Sequence, residues 1–342
     1  MRKRKNLWKN ISLFATCFVM WGGLSAAGAF PAMAGTQTSK QNNQAPVIVG
    51  TEEPWLFFSA NDGQPLETYM RINRFTDQEL LEITANINTL RTELEASGIK
   101  FVLMIAPDKE EIYGEDYMPP EIVVGPGPTR TEQLIDYMAR HAPEISVVYP
   151  GEALKAAKNT YEGVDALYYK SDTHWNQVGG YVGAMELIKT IAQQTGYTWE
   201  DQPRTFAFAG MRLGDLQVMA GLDASYDSQE YSQVPMPTFE STRQILNDKH
   251  TDMLWECGKS LDENCLPLSV YVTGDSFRAG VSMNLKEAFA DWVITSRYYF
   301  DTEDLVMREP DVFVYMIAER FLHELSVLPG YNTMPLQMPE VP

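Results

Sequence analysis

Residues 100–106 read KFVLMIA, six apolar side chains in a row after a lysine. A strand of this kind is covered on both faces, as in a parallel sheet with helices above and below it. The pattern returns at residues 268–273, 292–296 and 311–317, with a shorter strand at 146–149. Helical spacing separates these runs. Thr76 and Glu79 form a T-x-x-E capping box, Leu80, Ile83, Ile87, Leu90 and Leu94 follow on one face, and Gly98 is the stop. Val178, Val182, Met185, Ile188 and Ile191 predict a second long helix that ends at Gly196. Shorter helices are expected at 131–140, at 281–289 and from the end of the last strand through Leu325, and a loop from Pro107. Strands alternating with helices define an α/β fold with a mostly parallel central sheet. Residues 199–267 lack clear periodicity and read as an insertion in a catalytic domain spanning 47–342.

The amino terminus has a different character. Arg2, Lys3, Arg4, Lys5 and Lys9 precede an apolar run from Ile11 to Phe30, and Ala32-Met33-Ala34 closes it. A basic start, an apolar core and an A-x-A site make a secretory signal peptide over residues 1–34. The run is nearly long enough to span a bilayer, so a retained membrane anchor is the alternative. Residues 35–46 are polar and aperiodic, a flexible leader. The expected location is the periplasm or another extracytoplasmic part of the envelope.

Charge narrows the class of partner. The chain has 27 basic and 46 acidic side chains, and residues 1–34 hold five of the basic ones. The remainder carries 22 against 46, a net of −24. Such a surface repels nucleic acid and anionic lipid. Cys257 and Cys265 remain after residue 34. An even pair eight positions apart in an oxidising compartment predicts a disulfide.

Two short motifs carry chemistry. Gly274-Asp275-Ser276-Phe277 follows the 268–273 strand, and Ser171-Asp172-Thr173-His174-Trp175 precedes a helix. A serine at the carboxyl end of a parallel strand sits where α/β sheets place reactive groups. The peptide N–H groups at the helix start beyond it can hold an oxyanion. A serine hydroxyl needs a base. Of the four histidines, His141, His174, His250 and His323, only His174 lies in a polar turn with a carboxylate beside it. Asp172 can accept from its Nδ1–H and fix the tautomer. Ser276 is therefore the expected nucleophile, His174 the base and Asp172 the orienter. Asp172 and His174 lack the third ligand of a metal site, and acyl transfer of this type needs no cofactor.

The pair GDSF and DTHW resembles the SGNH hydrolase superfamily, specifically its AlgX/AlgJ-like polysaccharide O-acetyltransferases. The segments VIVGTEEPWLFF, APDKEEIYGEDYMP and PDVFVYMIAERFL fit as well, so the likeness runs from Val47 to Leu325. It implies a circularly permuted SGNH-hydrolase-like three-layer fold. In it 268–273, 292–296 and 311–317 are strands one to three and 100–106 is the fourth. It implies an acetyl-serine intermediate, a polysaccharide acceptor, and an acetyl donor supplied by a membrane-bound O-acyltransferase. The superfamily's glycine after strand two and G-x-N-D after strand three are absent here. Arg297, Glu319 and Arg320 stand near those points, which makes Arg297 and Arg320 candidate oxyanion or substrate contacts beside the Ser276 N–H. Two other readings stay open: a deacetylating esterase with the same triad, and a non-catalytic glycan-binding or assembly subunit.

Overall fold

The computed structural model describes residues 46–248, 251–296, 298, 300, 305 and 307–328. The signal segment, nearly all of the leader and His250 lie outside them. Two short antiparallel strands, β1 (Val47–Val49) and β2 (Leu56–Phe58), come first. A one-turn helix α1 (Pro65–Tyr69) and the long helix α2 (Asp77–Ala96) follow. Thr76 caps α2 in the reciprocal manner its sequence predicts, trading hydrogen bonds with Glu79. The chain then enters β3 (Lys100–Ala106), α3 (Lys109–Tyr117), α4 (Arg130–His141), β4 (Ser146–Val148), α5 (Gly151–Ala157) and α6 (Gln177–Thr195). Two hairpin regions come next: β5 (Thr205–Arg212), α7 (Asp215–Ala220) and β6 (Ser228–Val234), then β7 (Phe239–Asp248) and β8 (Thr251–Ser260). The last elements are β9 (Leu266–Gly274), α8 (Arg278–Ala288), β10 (Phe289–Ser296), β11 (Val312–Ala318) and a 3-10 helix, Glu319–Ser326.

Seven strands form the central sheet in the order β4-β3-β11-β9-β10-β8-β7. The first five run parallel, and the β7–β8 hairpin joins antiparallel at the β10 edge. Alternation along the strands splits the core in two. Val102, Met104, Val270, Val272, Val314 and Met316 face α6 and α8 on one side. Phe101, Leu103, Ile105, Tyr271, Phe313 and Tyr315 face α2, α4 and the 3-10 helix on the other. The result is a three-layer α/β/α fold. The spatial order β10-β9-β11-β3-β4 has the first sequence strand of the sheet in fourth place, as the permuted reading requires.

Three expectations are corrected. The stretch after Pro107 is a helix, not a loop. Lys109, Glu110 and Glu111 are all buried in it, so charges stand where an amphipathic pattern would place apolar residues. The segment after β11 is a 3-10 helix. Cys257 and Cys265 are not bonded to one another. Cys257, on β8, pairs with Val293 of β10, while Cys265 precedes Leu266 at the start of β9, and β10 runs between β8 and β9. Two strand spacings come to about 9.5 Å, beyond the roughly 7 Å a disulfide can bridge. Among the described residues no helix is long and apolar enough to cross a membrane.

Candidate active site

The carboxyl end of β9 delivers Ser276 at the mouth of the sheet. Asp275 shapes the turn: its Oδ1 accepts from the Phe277 N–H at 2.9 Å, and its Oδ2 accepts from the Tyr298 hydroxyl at 3.0 Å and the Ala318 N–H at 2.5 Å. The elbow is thereby tied to β11, its neighbour in the sheet. Ser276 is exposed, and α8 starts two residues later.

The opposite half comes from the turn before α6. Asn176 caps that helix, accepting from the Val178 and Gly179 N–H groups. His174 Nε2 lies 2.6 Å from Ser276 Oγ. Its Nδ1 lies 2.6 Å from Asp172 Oδ1, which also accepts the His174 main-chain N–H at 3.0 Å. The structure thus brings Asp172, His174 and Ser276 into one relay, from residues 102 positions apart. With Nδ1–H donating to Asp172, Nε2 is left as the acceptor for the serine proton.

Asp172 is buried, and burial alone would raise its pKa. The hydrogen bond from the His174 ring, the charge of that ring, the His174 main-chain N–H and the Arg212 guanidinium outweigh it and hold the carboxyl well below the usual range. Arg212 reaches Asp172 Oδ2 at 3.5 Å and lies over the Tyr169 ring. Asp215 supplies that same oxygen with its main-chain N–H at 3.1 Å. The Asp215 carboxylate accepts from the Thr173 N–H and hydroxyl at 2.7 Å each. A Cβ on Gly214 would stand 1.9 Å from the Ser171 carbonyl, so only glycine lets α7 approach this turn so closely.

Sequence reasoning missed Arg212, Asp215 and Lys109. The first two lie in the aperiodic insertion, where no pattern marks them. Lys109 stands just past the carboxyl end of β3, on the functional side of the sheet, and that position was its signal. Asp172, His174 and Asp215 have the donor types of a metal site within 4.8 Å of one another. Every one of those donors is already committed, to His174, to Ser276 or to Thr173. Of the two arginine candidates, Arg297 lies outside the described residues. Arg320 is buried, donates to Asp108 Oδ1 at 2.6 Å, and packs over the Phe277 ring.

The fold and the Ser–His–Asp relay define an SGNH-type acyl-transfer enzyme. The family described as "SGNH hydrolase-like domain, acetyltransferase AlgX" matches residues 47–293, and the chain belongs to it. A probable alginate O-acetylase AlgJ of Pseudomonas fluorescens is 24% identical over 300 residues, 82% of this chain and 70% of that protein. A second, from Pseudomonas syringae pv. tomato, is 23% identical over 72% of this chain and 63% of its own length. Among solved structures, the O-acetyltransferase domain of Pseudomonas putida AlgJ superposes with TM-score 0.51 at 18% identity, covering 82% of this chain and 93% of that one. Bacillus cereus PatB1 does so with TM-score 0.54 at 16% identity, covering 81% and 96%.

Proposed function

We propose that this chain is an exported O-acetyltransferase that moves an acetyl group through acetyl-Ser276 onto a hydroxyl of an extracellular or cell-wall polysaccharide. The observation that carries it is the pair of 2.6 Å contacts on the two nitrogens of His174. His174 Nε2 takes the Ser276 proton as Oγ attacks the acetyl carbonyl. The Ser276 N–H, at the start of α8, holds the developing oxyanion. The donor's C–O bond breaks, its alcohol takes the proton from His174, and acetyl-serine remains. A sugar hydroxyl then gives its proton to His174 and attacks the ester. Ser276 leaves as the alcohol and the acetylated sugar departs.

In this reading residues 47–342 are the catalytic domain and 199–267 its insertion, with 1–34 the export signal and 35–46 the leader. The polysaccharide acceptor follows the printed names of the relatives, which are alginate O-acetylases. A membrane-bound O-acyltransferase would supply the acetyl donor on the outer face of the membrane. Ser276 is exposed and His174 half-buried, so water reaches the acyl group when no sugar is bound. Under those conditions the same site is an esterase. The test is a small chromogenic acetate with and without an oligosaccharide acceptor. Acetylated sugar from the native chain, lost in Ser276→Ala, supports transfer; free acetate alone, with acceptor present, would establish the esterase.

A further inference from the structure

Lys109 opens α3 and is fully buried. Its Nζ lies 2.7 Å from the Asp172 carbonyl, 2.9 Å from that of Lys170 and 3.2 Å from that of Tyr169. An ammonium has three N–H donors, and these carbonyls take all of them. All three belong to the turn that ends in His174. The turn closes on itself through Tyr169 N–H to His174 O at 3.1 Å and Asp172 N–H to Tyr169 O at 3.4 Å. The Phe57 ring of β2 lies under the ammonium, 5.6 Å to its centroid.

No carboxylate lies within ion-pair distance of Lys109 among the described residues. Burying an ammonium that no counter-ion touches is costly, so a purely structural core would favour an apolar side chain here. Burial lowers its pKa to about 8, against the opposing charges of Glu110 on α3, Asp172 on the turn and Asp215 on α7. What the ammonium provides, and a methionine could not, is a fixed three-way anchor for these main-chain carbonyls, of which that of Lys170 also accepts the Leu56 N–H of β2 at 2.9 Å.

We propose that Lys109 is a positioning residue of acyl transfer: its three-pronged hold on the 169–172 carbonyls sets the turn that presents Asp172 to His174 and His174 to Ser276. The inference rests on the Ser276–His174–Asp172 reading above. It goes beyond that reading by placing the control of the geometry on α3, outside both catalytic motifs. Displacing a base by about 1 Å costs on the order of 10²-fold in rate, so loosening this turn acts on kcat and leaves substrate affinity nearly unchanged.

The test compares the native chain with Lys109→Met, Lys109→Gln and Ser276→Ala on a chromogenic acetate. Lys109→Met keeps an unbranched side chain, one heavy atom shorter, and removes all three donors. It should lower kcat on the order of 10²-fold with KM held within about twofold, while unfolding stays cooperative. Lys109→Gln, with two donors, should fall between. The downfield NMR proton of the His174–Asp172 hydrogen bond should broaden or shift in Lys109→Met. The native enzyme gives a second readout. Above a pH of about 8 the neutral amine has two donors for three carbonyls. Both kcat and the downfield line should therefore change there, and that alkaline limb should vanish in Lys109→Met. Native kcat and an unchanged line in Lys109→Met, with Ser276→Ala dead, would overturn the positioning role alone. Should Lys109→Met not fold, a native enzyme whose rate and downfield line stay flat from pH 8 to 10 would overturn it. Full activity in Ser276→Ala would overturn the triad reading itself.

Discussion

The Trp175 indole N–H donates to the Phe277 carbonyl at 2.9 Å. The residue after His174 is thereby bonded to the residue after Ser276, and the two rings pack edge to face with centroids 5.2 Å apart. This explains why the last letters of DTHW and GDSF belong to the motifs. Trp175→Phe keeps most of the ring packing and removes one of the two donors to the Phe277 carbonyl, which retains the Gly280 N–H at 3.1 Å. A loss of about 0.5–1.5 kcal/mol is expected for that hydrogen bond, read from denaturant midpoints, together with a fall of roughly tenfold in kcat through the shifted His174. Equal kcat in the variant would separate the hydrogen bond from catalysis.

A second link lies deeper. Gly180 on α6 meets Gly280 on α8 so closely that a Cβ on Gly180 would stand 2.3 Å from the Gly280 carbonyl. These helices start just after His174 and Ser276, so their separation bears on the distance between those two side chains. Gly180→Ala must push the helices apart. It should cost about 1–3 kcal/mol as overpacking does and lower kcat. Thermal unfolding and steady-state kinetics on one preparation would test both, and native values for the two would show that the helices yield without moving the site.

The parallel strands were legible because each is buried on both faces and so reads as a continuous apolar run. The hairpin strands were not. In β5 Phe206 is buried while Phe208 is exposed, and β7 is a sheet edge with a mostly polar sequence. The relay Asp172–His174–Ser276 was legible because both motifs flank strand or helix ends. Its support was not, since Lys109 holds main-chain carbonyls of the turn and Asp215 reaches Asp172 through its own main-chain N–H, contacts that sequence does not display. The cysteines misled because eight positions along the chain cross a strand inserted from 30 residues later.

Asp172 and Asp215 should separate by mutation. Asp172→Asn removes the acceptor that fixes the His174 tautomer, and kcat should drop by roughly 10³–10⁴. Asp215→Asn keeps the main-chain N–H that bonds Asp172 Oδ2, so a loss of no more than about tenfold is expected. Comparable losses in the two variants would mean that Asp215 also acts directly on His174, 3.7 Å away.

Beneath the elbow, Glu319 is fully buried and accepts from the Asp108 N–H at 3.0 Å and the Tyr149 hydroxyl at 3.2 Å. Burial, with Glu111 and Asp108 nearby, pushes its pKa up to about 8. A carboxyl whose folded pKa is raised holds its proton in the native state after the unfolded chain has released it. Its contribution is fully present below the unfolded value, near 4.5, and is lost as pH rises toward 8. Glu319→Gln mimics the protonated form. Its melting temperature should match the native chain near pH 5 and exceed it by several degrees near pH 8. A difference that does not grow with pH would mean that Glu319 is ionised in the fold.

The central claim is that Ser276 carries the acetyl group. The native chain and Ser276→Ala are mixed with an acetyl ester, quenched in acid within one turnover, digested and sequenced by mass spectrometry. The account predicts one added acetyl group on Ser276, which disappears when an oligosaccharide acceptor is added before the quench and is absent from Ser276→Ala. Transfer of acetyl to sugar by the native chain with Ser276 never modified at any quench time, with or without acceptor, would contradict it.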